Sequence, residues 1–188
     1  VSAKRHKEYR SVSGIANHMV RWSRLDCVNP QRELSQHLNK PTKACMEAQQ
    51  RMIDFIVGTK KRGYTVMPDN PGSWDGSLDY VFKISGESDS EYAKDTSRCS
   101  VNSGATFLCG AMVKLFSKMM PVVVLSSMEA ELYAIVLTAM DMVFVYHIIR
   151  SMGLAVELPM ILYNDNQGAV GFANNWSVGG RTRHIDTK

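Results

Sequence analysis

The chain lacks several features that identify large classes of proteins. Its 188 residues include only four cysteines, and none of them has the CxxC or Cys/His spacing of a zinc site. No stretch contains eighteen successive apolar residues, and the first ten residues are charged rather than hydrophobic. These absences predict an intracellular protein without a disulfide framework and without a membrane partner.

The charge balance by itself identifies no ligand. The chain has 22 basic and 18 acidic residues, so its net charge is only +4. The basic residues gather in three short runs, near the N-terminus, at residues 60–62 and near the C-terminus. Such runs are usually solvated surfaces, but beside a nuclease site they would supply phosphate contacts.

The sequence predicts two parts joined by a linker. Residues 1–66 have helical character, with one helix starting at Pro41-Thr42 and ending at Gly58. Residues 67–76 are rich in proline, glycine and aspartate and are typical of a turn-rich linker. Residues 77–188 show the order strand, hairpin, helix, strand, helix, which indicates a mixed α/β domain. The first residue is not methionine and no Tyr-x-Asp-Asp polymerase motif is present, so we expect a fragment of a longer protein.

The most informative stretch is Leu-Ser-Ser-Met-Glu-Ala-Glu-Leu at residues 125–132. Ser126 and Glu129 have the spacing of a capping box, which gives Glu129 a structural role and leaves Glu131 without one. A long apolar helix is expected to follow and to end near Gly153. The expected buried stripe comprises Ala130, Tyr133, Ala134, Leu137, Met140, Phe144 and Ile148.

Two aspartates follow predicted strands and are candidate partners for Glu131. Asp165 comes after an apolar run at 160–164 that is typical of a buried strand, and Asp89 comes after an alternating run at 78–84. A hairpin centred on Gly110 lies between them. Gathered carboxylates repel one another, and a divalent magnesium ion removes that conflict. Taken singly, Asp89 fits a surface turn better than a metal site, and Asp165 fits a helix N-cap equally well. Only the joint pattern with Glu131 favours a site.

Several motifs in order resemble the ribonuclease H domain of copia-type retrotransposons. The resemblance is carried by 88–93, 98–101, 107–111, 117–119, 125–132, Asp165-Asn166-Gln167-Gly168-Ala169 and 181–186. Tyr9-Arg10-Ser11-Val12-Ser13-Gly14, Arg24-Leu25-Asp26 and Phe55-Ile56-Val57-Gly58-Thr59 extend it upstream, where they resemble the segment that joins the reverse transcriptase to that domain. The resemblance implies a ribonuclease H-like fold, a mixed central sheet flanked by helices, preceded by a small helical connection segment.

The resemblance also implies an activity and a set of site residues. The implied activity is metal-dependent hydrolysis of the RNA strand of RNA/DNA hybrids, beside reverse transcriptase and other parts of a parent polyprotein. Asp89, Glu131 and Asp165 would hold two Mg²⁺ or Mn²⁺ ions, and Asp186 is a candidate fourth catalytic residue. The implied nucleic-acid contacts are Arg98, Ser100, Ser127, Asn166, Gln167, Arg181, Arg183 and His184. The implied location is a cytoplasmic virus-like particle or the nucleus.

Two alternatives to an active ribonuclease H remain open from the sequence. One is a truncated remnant that at most binds nucleic acid or a protein partner, since Tyr92, Lys94 and Asn102-Ser103 depart from the family's usual residues. The other is an integrase-like strand transferase, in which the glutamate would come last rather than between two aspartates. The family's late Ala-Asp-x-x-Thr-Lys motif is not found before Lys188. We therefore expect the isolated chain to cleave hybrids poorly or not at all, and extension through the missing helix to restore cleavage.

Overall fold

A computed structural model describes residues 2–93 and 98–175 of the chain. The chain divides between Thr65 and Val66 into two compact units. Each unit is described by itself.

The first unit is helical, as expected. Its helices are α1 (Ala3–Trp22), α2 (Val28–Ser35) and α3 (Lys43–Gly58), with a short 3₁₀ turn at Leu25–Cys27 between the first two. The predicted start of α3 is confirmed, because the Thr42 hydroxyl accepts a hydrogen bond from the Cys45 N–H at 3.2 Å. The core of this unit contains Ala16, Val20, Cys27, Leu34, Met52 and Ile56.

The second unit contains a mixed sheet with a long helix packed on it. The elements are β1 (Val81–Phe82), β2 (Ile84–Glu91), β3 (Val101–Leu108), β4 (Ala111–Met119), α4 (Ser127–Ser151), β5 (Ala155–Val156), β6 (Ile161–Tyr163) and α5 (Gln167–Asn175). The main sheet has the order β4-β3-β2-β6; β2 pairs antiparallel with β3 and parallel with β6. Strands β1 and β5 form a separate parallel pair. This mixed α/β arrangement is compatible with a ribonuclease H-like fold.

The predicted hairpin is confirmed, and its turn explains the choice of residues there. Strands β3 and β4 are antiparallel and are joined by Cys109 and Gly110, whose φ angles are 50° and 82°. Two successive positive φ angles are typical of the type I′ turn, which matches the twist of the flanking strands. Glycine adopts the second of these angles without strain.

Two strand predictions need correction. The strand expected over 78–84 lies further along, as β1 and β2, so that Asp89 is inside a strand and not in a surface turn. Pairing with β3, from Ser88 with Gly104 to Glu91 with Val101, keeps the polar Ser-Asp-Ser-Glu segment extended in spite of its low strand propensity. The strand β6 is not buried as predicted: Ile161 and Tyr163 are 44% and 57% exposed, because β6 lies at the edge of the sheet.

The helix α4 has the predicted bounds, but its buried face agrees with the predicted stripe only in part. Ala130 and Ala134 are buried as expected, and the other buried apolar or neutral residues of α4 are Thr138, Met142 and Ile149. Most of the larger residues of the predicted stripe are exposed; these are Tyr133, Met140, Phe144 and Ile148. The helix is apolar around most of its circumference, so periodicity alone does not select the buried face.

One helix in the described part of the chain, α4, is long and apolar enough by length and composition to cross a membrane. A single helix of this kind is weak evidence, because core helices of soluble proteins meet the same criteria. In the described structure α4 packs mainly against β2 and β3, and Asp141 of α4 forms an ion pair with Lys114 of β4.

Two glycines in adjacent strands let α4 approach the sheet closely. A Cβ added to Gly86 would lie 2.6 Å from Met142 Sδ, and one added to Gly104 would lie 2.6 Å from Phe116 Cε1 and would overlap the Thr138 hydroxyl. Both distances are shorter than a van der Waals contact. The close approach sets the height of α4 above the strand that carries Asp89.

We expect Gly104→Ala to lower the free energy of unfolding by about 1–3 kcal/mol, the range typical of overpacked cores. The Phe116 ring and the β-branched Thr138 cannot move aside easily, whereas the flexible Met142 opposite Gly86 can. Gly86→Ala should therefore cost less. Urea unfolding monitored by circular dichroism measures both effects.

A helical glycine with open space supplies the control for this prediction. Within residues 2–93 and 98–175, no atom lies within 4 Å of a Cβ added to Gly171 in α5. Gly171→Ala should raise stability by about 0.5–1 kcal/mol through helix propensity. Equal stability of Gly104→Ala and wild type would show that α4 does not approach the sheet this closely.

Candidate metal centre

Parallel pairing of β2 with β6 brings the two aspartates to the same end of the sheet. The paired residues run from Ser85 with Ile161 to Glu87 with Tyr163. Asp89 and Asp165 each lie two residues beyond the last of these pairs. The prediction that the two strands which carry the aspartates are neighbours in one sheet is confirmed.

Glu131 completes a cluster of three carboxylates. It lies near the start of α4 and is only 5% exposed, whereas Asp89 and Asp165 are both exposed. One carboxylate oxygen from each of the three residues lies within 4.8 Å of the other two. The three acidic residues singled out from the sequence therefore meet, although 76 positions separate the first from the last in the numbering.

The buried carboxylate of Glu131 is held by neutral donors. Its Oε1 accepts hydrogen bonds from the Ser90 N–H at 3.2 Å and the Ser90 hydroxyl at 3.0 Å. Its Oε2 accepts one from the Asn164 amide at 2.8 Å. Because a buried charge is costly unless it is hydrogen-bonded, these contacts account for a carboxylate in this position.

Glu129 has the structural role at the helix start that the sequence predicts. The Ser126 hydroxyl accepts a hydrogen bond from the Glu129 N–H at 3.1 Å, so Ser126 caps α4. The Glu129 carboxylate accepts one from the N–H of Leu125 at 2.9 Å, one residue before the N-cap. Glu129 thus fixes the entry to the helix, two residues before the carboxylate that joins the aspartates.

Asp165 is not the N-cap of α5, which was the alternative role left open by the sequence. The N-cap of α5 is Asn166, whose Oδ1 accepts a hydrogen bond from the Ala169 N–H at 3.0 Å. Among the described residues no ion pair includes Asp89, Glu131 or Asp165. The negative charge of the cluster is therefore not offset by a described cation.

The donor set fits a hard divalent cation. All three groups are carboxylates, and Mg²⁺ and Mn²⁺ prefer oxygen ligands of this kind. Two of the three are exposed, as a site open to substrate requires. The acidic triad could thus hold a metal ion, which agrees with the expectation from the sequence.

The residues expected to contact nucleic acid fall into three groups. Arg98, Ser127 and Gln167 are exposed, and Ser127 and Gln167 are the first residues of α4 and α5. Asn166 is partly buried because it caps α5. Ser100 is fully buried, and its hydroxyl accepts a hydrogen bond from the Ala93 N–H. Contrary to the expectation from the sequence, its side chain is therefore not accessible to a ligand.

Four further residues proposed from the sequence lie outside the described residues. They are Arg181, Arg183, His184 and Asp186. Their assigned roles stay predictions.

The sequence reasoning missed the two residues that hold Glu131. Ser90 and Asn164 directly follow and precede the aspartates Asp89 and Asp165. The only signal for these two residues in the sequence was that each is a polar residue next to a candidate aspartate near a strand end. Neither residue stands at a helical or strand spacing from Glu131, so only the tertiary structure identifies them.

The fold and the carboxylate cluster define a mixed α/β protein with a candidate metal centre. The chain is 26% identical over 179 residues to the retrovirus-related Pol polyprotein from transposon RE1 of Arabidopsis thaliana, and likewise to that from transposon RE2. It is 25% identical over 181 residues to the one from transposon TNT 1-94 of Nicotiana tabacum. No family model matches the chain, and no solved structure matches it significantly.

These alignments cover 95% or 96% of this chain but only 12% or 13% of each polyprotein. The chain is thus similar to one part of retrovirus-related Pol polyproteins from copia-type transposons. This confirms the resemblance to copia-type polyproteins, while the alignments do not single out the ribonuclease H domain within them.

Proposed function

We propose that residues 77–188 form a ribonuclease H-type domain that hydrolyses the RNA strand of RNA/DNA hybrids during reverse transcription. The observation that carries the proposal is the meeting of Asp89, Glu131 and Asp165 within 4.8 Å. The similarity to transposon Pol polyproteins supports it. The order aspartate, glutamate, aspartate favours this activity over an integrase-like strand transfer, in which the glutamate would come last.

In this proposal the three carboxylates are the metal ligands, and Asp186 is the candidate fourth. Two bound Mg²⁺ or Mn²⁺ ions supply activation of a water molecule and stabilisation of the leaving oxygen of a phosphodiester. The exposed Asp89 and Asp165 lie on the side open to substrate. The buried Glu131 gives the site a fixed ligand, since its position is set by α4 and by its hydrogen bonds.

The hybrid would be held mainly through its phosphates. Exposed residues available for such contacts are Ser127 and Gln167 at the two helix starts, and Arg98. Arg181, Arg183 and His184 are proposed to add to them. Binding through phosphates predicts an affinity that falls steeply with salt. The proposed setting is a cytoplasmic virus-like particle or the nucleus, beside reverse transcriptase and other parts of the polyprotein.

The test is cleavage of a labelled RNA/DNA hybrid under single-turnover conditions, which detect slow activity. We expect cleavage of the RNA strand only, dependent on Mg²⁺ or Mn²⁺, with double-stranded DNA left intact. Asp89→Asn should lower the rate by at least about 100-fold, because the loss of one charged ligand from a metal site removes much of the transition-state stabilisation.

The outcomes separate the candidate functions. Metal binding without cleavage, both by this chain and by one extended through the Ala-Asp-x-x-Thr-Lys motif, would overturn the ribonuclease proposal in favour of an inactive remnant. Cleavage that Asp89→Asn does not change would place the activity elsewhere or in a contaminant. Cleavage lost in Asp186→Asn would support Asp186 as the fourth ligand.

A further inference from the structure

The two oxygens of the Glu131 carboxylate differ in their remaining capacity to bind a ligand. Each carboxylate oxygen offers about two lone-pair directions. Oε1 already accepts two hydrogen bonds, both from Ser90, while Oε2 accepts one, from Asn164. The open direction therefore lies on Oε2.

Asn164 is itself fixed at both ends of its side chain. Its Nδ2 lies 2.8 Å from Glu131 Oε2 and 3.1 Å from both the carbonyl and the hydroxyl oxygens of Ser88. Its Oδ1 accepts a hydrogen bond from the Asn166 N–H at 3.0 Å. One amide side chain thus links β2, the start of α5 and the buried carboxylate of α4.

The donor to Glu131 Oε2 is a neutral amide, and its lack of charge matters for metal binding. A lysine or arginine at position 164 would offset the charge of Glu131 and compete with a metal ion for it. A neutral amide orients the carboxylate and leaves its charge available. Groups that orient a metal ligand in this way affect metal affinity strongly, typically by about 10–100-fold.

We propose that Asn164 is a positioning residue that directs Glu131 to bind metal through Oε2 alone. The inference rests on the proposed metal-dependent function of the triad. It assigns to Asn164 a role in metal binding although Asn164 is not itself a ligand. Ser90 acts with it by occupying Oε1.

Two substitutions separate this role from a structural one. Asn164→Ala removes both the donor to Glu131 and the acceptor for the Asn166 N–H. Asn164→Ser retains a short acceptor that can bond the N–H two residues on, as serine commonly does in turns, but does not reach Glu131. If Asn164 only shaped the turn, the serine variant would behave like wild type.

The experiment is a titration of the full chain with Mn²⁺, in which binding is measured by calorimetry and by electron paramagnetic resonance. We expect both Asn164→Ala and Asn164→Ser to weaken Mn²⁺ binding by about 10–100-fold. At saturating Mn²⁺ both should also change the resonance line shape, which reports ligand geometry. Circular dichroism establishes that each variant is folded.

Ser151→Ala is the control, because it removes a side-chain hydrogen bond, from the Ser151 hydroxyl to the Ile148 carbonyl at 2.7 Å, at the end of α4 opposite to Glu131. It should leave Mn²⁺ affinity within about threefold of wild type, well below the effect expected for an orienting group. Unchanged affinity in both Asn164 variants would overturn the positioning role while the proposed function stands. Absence of Mn²⁺ binding by wild type would overturn both.

Discussion

Replacing Glu131 by glutamine should abolish most of the affinity of the chain for Mg²⁺ or Mn²⁺, whereas replacing Glu129 by glutamine should not. Both residues are buried, at 5% and 2% exposure, and they are two positions apart on the same helix. Only Glu131 lies within 4.8 Å of the two aspartates. We expect a loss of more than about 100-fold for Glu131→Gln, since direct ligands matter more than the groups that orient them.

The hydrogen bonds around Glu131 also predict a stability change. A glutamine there has one acceptor oxygen and one NH₂ group. Whichever way it turns, its NH₂ faces either the Ser90 N–H or the Asn164 amide, which are both donors. Leaving one buried donor unpaired costs about 1–3 kcal/mol. Glu131→Gln should therefore unfold at lower urea concentration while remaining folded in buffer.

Glu129→Gln is a closely matched control. Glutamine keeps an oxygen that can accept the Leu125 N–H, as glutamine does in capping boxes. Metal titration and urea unfolding of the two variants side by side give the comparison. Similar losses of metal affinity in both would mean that Glu131 is not a ligand, or that the losses arise from a distorted helix start.

The parts of the fold that could be predicted from sequence are those set by local signals. Ser126 and Thr42 mark helix starts through side-chain caps, and Gly110 marks the hairpin turn. The approximate placement of the three acidic residues at strand ends and a helix start followed from the same local signals. The parallel pairing of β2 with β6 brings the two aspartates together, and the packing of α4 adds Glu131.

The buried face of α4 could be predicted only in part, at Ala130 and Ala134, because the residues that decide the rest lie in other elements. The helix is apolar around most of its surface, so Met140 and Phe144 are as suited to a core as Ala134. The buried face of α4 depends on Gly86 and Gly104. Because these residues have no side chains, α4 lies close to them, and so close an approach requires a helix face with small or flexible side chains. No periodicity within α4 carries that information.

The supporting contacts of the site were missed for a related reason. Ser90 and Asn164 are ordinary polar residues in sequence, and nothing in their spacing relates them to Glu131. Their role arises only when β2, β6 and α4 are packed together. Ligand residues can be recognised by chemical type, whereas residues that orient ligands are recognised by geometry.

Asp165→Asn should leave the metal-free chain as stable as wild type or more stable, while it removes the stabilisation that Mg²⁺ provides. Asp165 is exposed, and no hydrogen bond to its side chain is found in the described part of the structure. Removing its charge relieves repulsion from Asp89 and Glu131 without leaving a donor unpaired. In this respect it differs from Glu131→Gln, which leaves a buried donor unpaired.

The gain from metal can be calculated in advance from mass action. A ligand that binds only the folded state at 100 times its dissociation constant stabilises that state by about 2.7 kcal/mol. Urea unfolding of wild type with and without saturating Mg²⁺ should show a gain of this order, and Asp165→Asn should show little of it. Asp79→Asn, an exposed aspartate before β1, is the control and should keep the full gain. If Asp165→Asn destabilises the metal-free chain, Asp165 serves the fold instead, and if it keeps the Mg²⁺ gain, the metal is bound elsewhere.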